Sequence, residues 1–287
     1  MGPLRTVFGL FKLRIGLVIA VTAVAGAAIQ SGPSLTGLQL ALLFVTVLMS
    51  AGAAGAFNQY YEADLDARMQ RTRGRPFASG RFHRGPAWLA AIFALVGIAT
   101  AASWMWLNSA AALYTLAGAF TYAIVYTVWL KRRTWWNIVI GGAAGSFAVL
   151  AGAAAVHPDL SAEAWLLAVV LFLWTPPHFW SLAMVCRDDY AAAGVPMLPV
   201  VKGDRVTAYA ILGHAVALVL LSLALAWLRP GAIYVTCAAI GGAWFVYAAL
   251  RLARNPARAT ALRCFLASLA QLSLLLLGAM ADAVLLA

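Results

Sequence analysis

Nine apolar stretches dominate the chain, near residues 15 to 31, 36 to 57, 87 to 106, 109 to 129, 135 to 156, 163 to 183, 206 to 228, 231 to 250 and 262 to 285. Each is long enough to cross a bilayer as a helix, for which about 20 apolar residues suffice. A helix also satisfies its own backbone hydrogen bonds where no water can do so. The expected fold is therefore all-α: a polytopic membrane protein whose nine transmembrane helices form a compact bundle. The least distinct boundary lies between the third and fourth stretches, split only by Trp106, Leu107 and Asn108. With 64% of residues hydrophobic and 10% charged, a soluble globule is excluded, and the nine crossings leave little chain for a separate extramembrane domain. Residues 1–287 are read as one integral-membrane domain with the lipid bilayer as its first partner.

The formal charge of +11 fits either a nucleic-acid partner or a membrane topology signal, and its placement decides between them. Nineteen of the twenty Lys and Arg residues fall in alternate connections: Arg5, Lys12 and Arg14 before the first span, a run from Arg68 to Arg84 after the second, Lys131 to Arg133 after the fourth, Arg187, Lys202 and Arg205 after the sixth, and Arg251 to Arg263 around the eighth-to-ninth connection. Only Arg229 falls on the other side. By the positive-inside rule this predicts a cytoplasmic N-terminus, an outer C-terminus and no nucleic-acid role, in a membrane of the bacterial inner (plasma) type. The first stretch also has the outline of a signal peptide, but its removal would spoil the alternation. Cys186, Cys237 and Cys264 form neither a metal-ligand pattern nor a disulfide framework.

Small-residue runs such as Ala51 to Ala56 and Gly141 to Ser146 let helices approach closely. The two longest connections, roughly 59 to 86 and 184 to 205, lie on the cytoplasmic side and hold Glu62, Asp64, Asp66, Asp188, Asp189 and Asp204, six of the nine acids. If the second helix continues through Asn58 to Asp66, then at 100° per residue Glu62 lies about 40° and Asp66 about 80° from Asn58, while Asp64 lies about 240° away. Asn58, Glu62 and Asp66 share a face and offer hard oxygen ligands suited to Mg²⁺, which commonly bridges to a substrate phosphate. Beside them, Arg71 and Arg75 carry guanidinium forks that match phosphate oxygens, and Lys131 and Lys202 come from two further loops at the same end. Together these predict a magnesium diphosphate site, although an acidic helix end balanced by topology-setting arginines accounts for the same residues without chemistry.

The second cluster runs from Trp174-Thr175-Pro176-Pro177-His178 to Asp188-Asp189. The paired prolines are expected to break or kink the helix before His178. On an unbroken helix His178 and Asp189 face the same way, roughly 16 Å apart. An ionisable residue at that depth is a functional candidate, against the alternative of a buried histidine bonded to a neighbouring helix. His83 and His157 read as loop residues and His214 as core. Asp188 and Asp189 are candidate further ligands for the metal. The acidic clusters recur four spans apart, as two four-helix repeats plus one helix would place them.

At these residues the sequence resembles the UbiA-type intramembrane prenyltransferases, and within them the branch that acts on heme. The resemblance runs through Lys12-Leu13-Arg14-Ile15, Asn58 to Asp66, Met69 to Pro76, Lys131 to Gly142, Leu171 to Trp180 and Asp189 to Gly203, and leaves the last three spans supported by hydropathy alone. Two departures stand out: Glu62 replaces the usual Asp, and His178 stands where quinone-type members place part of a second carboxylate motif. The resemblance implies transfer of a farnesyl group from farnesyl diphosphate to a vinyl group of heme b, a substrate rather than a cofactor, with Mg²⁺ as the cofactor. It implies Asn58, Glu62, Asp66 and Asp189 as catalytic residues, with the metal held by Asn58, Glu62, Asp66, Asp188 and Asp189. Arg71, Arg75, Lys131 and Lys202 would bind diphosphate, His178 would contact heme, and Trp174, Phe179 and Trp180 would wall the allylic cation. A heme A synthase or an oxidase-assembly protein is the expected partner for the product. An aromatic prenyltransferase acting on a quinone precursor and an ion or proton transporter remain rival readings.

Overall fold

A computed structural model describes residues 3–228 and 231–285, with side chains from residue 6 onward. Arg229 lies outside the described residues, as does the side chain of Arg5. A short helix α1 (Pro3–Leu10) precedes α2 (Leu13–Ile29) and α3 (Gly37–Tyr61), and α3 is followed by a one-turn extension, α4 (Ala63–Arg68). Then come α5 (Pro86–Trp106), α6 (Ser109–Phe120) with a π-helical continuation over Thr121–Leu130, α7 (Asn137–Gly141) and α8 (Ala143–Val156). The chain closes with α9 (Ala162–Val185), α10 (Arg187–Ala192), α11 (Leu198–Leu228), α12 (Ala232–Arg254) and α13 (Arg258–Leu285). Among the described residues, eight segments are long and apolar enough to cross a membrane, and α2, at 17 residues, is the ninth apolar helix. The chain is an integral membrane protein of the all-α class expected.

Capping residues start three of the spans at one end of the bundle. Thr36 accepts from Gln39 N and Gln39 reaches back to Thr36 N, a reciprocal pair that satisfies two otherwise orphaned donors of α3. Asn108 Oδ1 accepts from Ala111 N at 2.8 Å to start α6, and Ser161 caps α9 through Ala164 N at 3.3 Å. The same cation-poor end is laced by Gln30, which donates to the Asp159 carbonyl at 3.1 Å and accepts from Ser161 N at 3.0 Å. Asp282, a buried acid inside α13, is explained here too: it accepts from Tyr234 N at 2.7 Å and so caps α12.

The helices form a ring in which α2 packs on α3, α8 and α13, α3 on α5, α5 on α6, α6 on α8, α8 on α9, and α9 on α11 and α13, with α12 joining α11 to α13. The two four-helix groups expected from sequence are thus joined in a single ring. Their first helices, α2 and α8, meet backbone to backbone: a Cβ at Gly26 would overlap the main chain of Val149, and one at Gly152 would overlap that of Ala23. Without these glycines the approach is closed, the physical reason for small residues at this seam.

Three local departures matter for the site. The proline pair does not end its helix: α9 runs through Pro176 and Pro177 and stops at Cys186 (φ −109°, ψ 26°). Thr175 Oγ1 donates to the Leu171 carbonyl at 3.0 Å and Ser181 Oγ to that of Pro177 at 2.6 Å, side-chain bonds one turn back on either side of the pair. Across the break at Cys186 the i−4 bonds persist, Cys186 N donating to the Leu182 carbonyl and Tyr190 N to that of Cys186. The 184 to 205 connection is largely helical, as α10 and the first turns of α11, which bends at Gly203 (φ 80°, ψ 167°), a left-handed conformation that glycine tolerates.

Candidate active site

At the cation-rich end, α3 ends at Glu62 (φ −94°, ψ 16°), but Glu62 N still donates to the Asn58 carbonyl and Asp66 N to that of Glu62, so the fourfold spacing survives the break. Asn58, Glu62 and Asp66 are buried to within 2% exposure, whereas the Asp64 side chain is 44% exposed and pairs with Arg132 at 2.8 Å. That pair holds the Asp64 carboxyl below its usual range through the Arg132 hydrogen bonds.

Each of the three buried groups is met by a different cation. Lys12 Nζ donates to Asn58 Oδ1 at 2.6 Å and to the Tyr122 hydroxyl at 3.0 Å. Lys131 pairs with Glu62, and Arg75 reaches both oxygens of Asp66 at 2.9 Å. Lys12 sits in the left-handed region (φ 48°, ψ 41°) at the turn from α1 to α2, which aims its side chain inward. Burial, then the positive fields of Arg75 and Lys131, lower its pKa to about 7, against the opposing pull of Glu62 and Asp66.

The π-helical segment supplies the opposite wall. Its ladder joins residues five apart, so Thr127 Oγ1 bonds the Tyr122 carbonyl at 2.8 Å and Lys131 N that of Tyr126 at 2.9 Å. Tyr122 and Tyr126 stack with ring centroids 5.6 Å apart, and Lys12 and Lys131 each lie 5.5 Å from one of these rings. Asn58 Nδ2 donates to Thr127 Oγ1 at 3.0 Å, fixing the amide so that Oδ1 faces Lys12. The sequence treated Lys12 only as a topology charge and gave no role to Tyr122, Tyr126 or Thr127. No apolar pattern signals a π-helix, although Lys12 lies in one of the stretches that carry the resemblance.

The second acidic cluster contributes differently from expectation. Asp189 accepts from Gln70 N at 3.0 Å and Arg71 N at 3.4 Å, and Arg71 reaches the Tyr190 hydroxyl at 2.9 Å, so α10 clasps the arginine-bearing loop. Asp188 is exposed. Among the described residues no three His, Cys, Asp or Glu side chains come together as a metal-ligand group. Lys202 is exposed on the first turns of α11, as Arg71 is on its loop, while Arg75 and Lys131 meet the buried acids.

A magnesium ion nevertheless fits the donor chemistry of the first cluster. Two carboxylates and an amide oxygen are hard ligands, Glu62 Oε1 is buried with no hydrogen-bond partner, and Mg²⁺ ordinarily takes only one or two carboxylates beside substrate phosphates and waters.

His178 is buried between the rings of Trp174 (centroids 4.2 Å, 18°) and Phe265 (4.6 Å, 27°). Its Nδ1 lies 2.8 Å from Ser268 Oγ. That hydroxyl also lies 2.7 Å from the Phe265 carbonyl, so Nδ1 is engaged on the α13 side and Nε2 has no hydrogen-bond partner among the described residues. Of the three rings expected to wall the cation, Phe179 meets His178 edge-on, with centroids 5.1 Å apart. Trp174 covers His178 and donates to the Ser268 carbonyl at 2.9 Å, and Trp180 packs edge-on to His214, because both indoles fill the core between α9 and its neighbours.

Residues 19–272 match the UbiA prenyltransferase family. The chain is 52% identical to protoheme IX farnesyltransferase 2 of Paramagnetospirillum magneticum (strain ATCC 700264 / AMB-1), with 97% of each chain covered. It is 43% identical to protoheme IX farnesyltransferase of Gloeobacter violaceus (strain ATCC 29082 / PCC 7421) over 88% of this chain and 83% of that one. Among solved structures, a chain from a study of digeranylgeranylglyceryl phosphate synthase in membranes superposes with a TM-score of 0.80 at 20% identity, covering 99% of each chain. A UbiA homolog from Archaeoglobus fulgidus bound to GPP and Mg²⁺ gives 0.70 at 13% identity, covering 96% of this chain and 99% of that one. At such identities these two structures speak to the fold alone.

Proposed function

Because the chain belongs to the UbiA prenyltransferase family, we propose that it transfers a farnesyl group from farnesyl diphosphate to a vinyl group of protoheme IX (heme b), giving heme O and pyrophosphate. The observation that carries the site assignment is the buried row Asn58, Glu62 and Asp66, each held by its own cation. The ion-transporter reading falls with family membership, and no observation favours a quinone precursor as acceptor.

The bond between C1 of farnesyl and the diphosphate oxygen breaks, and its electron pair leaves with the diphosphate. Negative charge therefore develops on oxygens, and catalysis consists of cations already placed to receive it. Arg75, Lys131 and Lys12 are so placed, and Arg71 joins from the loop clasped by Asp189. When bound, Mg²⁺ would be held by Asn58, Glu62 and Asp66 and would neutralise further charge on the leaving group. C1 then bonds the terminal vinyl carbon of heme, and the cation left beside the porphyrin ring takes hydroxide from water with release of a proton. Tyr122 and Tyr126 line this side of the site and hold Lys12 and Lys131 against their rings.

His178 contacts heme through Nε2 in this reading, because both ring faces are covered and Nδ1 is engaged by Ser268. Asp189 acts as a positioning residue through the backbone of Gln70 and Arg71. The cation-rich end faces the cytoplasm of a bacterial-type inner membrane, and a heme A synthase or an oxidase-assembly protein receives the product. The test is incubation of purified protein with farnesyl diphosphate, Mg²⁺ and heme. Mass spectrometry should detect a hydroxyethylfarnesyl porphyrin that forms only with all three, and its absence from folded protein overturns the reading.

A further inference from the structure

The stretch from Arg205 to Ala281 contains no acidic residue, yet Arg251, Arg254, Arg258 and Arg263 gather where α12 turns into α13. None of the four is in a salt bridge with any described residue. Two of them, Arg251 and Arg263, line a groove of about 330 Å³ between the two helices, together with Trp244, Tyr247, Thr260 and Leu266. The groove lies at the end of the bundle that carries the diphosphate site, since Arg258 Nε reaches the Val185 carbonyl at the close of α9, just before the α10 clasp. It is nevertheless separate from that site and from His178. On α13, Phe265 and Ser268 face His178, and Arg263 and Leu266 each stand two residues earlier, about 200° around the helix.

The chemistry of the lining is narrow. Thr260 Oγ1 is committed to the Asn255 and Ala257 carbonyls at 2.6 and 2.8 Å. Arg251 lies over the Tyr247 ring, 6.0 Å from its centroid, and donates to its hydroxyl at 3.2 Å, which holds the guanidinium at the mouth. The charged groups offered to an occupant are thus two guanidinium forks above apolar and aromatic walls, on spans whose Trp244, Tyr247 and Leu266 are exposed toward the surrounding hydrocarbon. A phosphate joined to an acyl tail matches both halves of this surface. We propose that the α12–α13 groove is a binding site for an anionic phospholipid, with Arg251 and Arg263 gripping the headgroup phosphate and Trp244 and Leu266 lying along the chain below it.

The probe is phosphatidylglycerol offered to the full-length protein in detergent, with phosphatidylcholine, whose phosphate is offset by its own choline cation, as the zwitterionic competitor and intact-protein mass spectrometry as the readout. Wild-type protein is expected to retain phosphatidylglycerol over phosphatidylcholine by on the order of tenfold. R251Q/R263Q should lose that preference, and R254Q/R258Q, which removes the same charge outside the groove, should keep it. Equal retention of the two lipids by wild-type protein overturns the proposal whatever the variants do. Equal loss in both double variants overturns it in favour of diffuse surface charge, and displacement of the lipid by millimolar inorganic phosphate overturns it in favour of a free-anion site.

Discussion

The residue that separates chemistry from charge balance is Asp64, two positions from both Glu62 and Asp66 and yet on the surface with Arg132. Glu62→Gln or Asp66→Asn should lower Mg²⁺-dependent turnover by about a hundredfold or more, the scale of losing one electrostatic contact to a leaving group. Asp64→Asn should change turnover only a few fold, because a half-exposed ion pair contributes little. Steady-state rates on protein shown to be inserted and monodisperse distinguish the two outcomes. The lysines separate in the same way. Lys131→Ala should raise the Michaelis constant for farnesyl diphosphate and cut turnover, while Lys202→Ala, exposed on α11, should leave both near wild type. Of these contrasts the sequence displayed the first, because fourfold spacing on a helix sorts Asn58, Glu62 and Asp66 from Asp64. It could not display the second, since loop cations look alike until the fold brings one to an acid and leaves the other outside.

Elements were legible to the extent that hydrocarbon alone defines them. The apolar stretches match the observed spans closely because lipid leaves a backbone few options. The breaks at Glu62 and Cys186, the π-helix over Thr121–Leu130 and the continuity of α9 through two prolines were not legible, because hydropathy is the same on either side of each. The α2–α8 seam lies between these cases: glycine runs announce close packing but not the partner. Gly152→Leu should destabilise the protein by about 1–3 kcal/mol or prevent its accumulation, since the new side chain meets the main chain of Ala23. Gly145→Leu, where nothing lies within 4 Å of the new Cβ, is the control, and melting temperatures in detergent make the comparison.

For the whole molecule, the two ends differ in charge and in what they bind, and this fixes how the bundle should sit in the bilayer. In a cysteine-free background, His83→Cys should react with an impermeant maleimide only in inverted vesicles and Asp159→Cys only in right-side-out ones; the reverse pattern would overturn the proposed orientation. The paired cations of the resting site also bear on time and order. Lys131 and Arg75 already match the two buried carboxylates in charge, so a lone divalent ion would have to strip both cations of their partners to enter. A diphosphate gives those cations new oxygens to hold and frees the acids at the same moment. Metal and substrate should therefore be taken up as one package rather than in sequence. In titration calorimetry Mg²⁺ alone should give no binding heat, and Mg²⁺ with a non-hydrolysable farnesyl thiodiphosphate should give a clear one. A protein wired this way keeps itself from closing around a metal with nothing to cleave, using no moving gate.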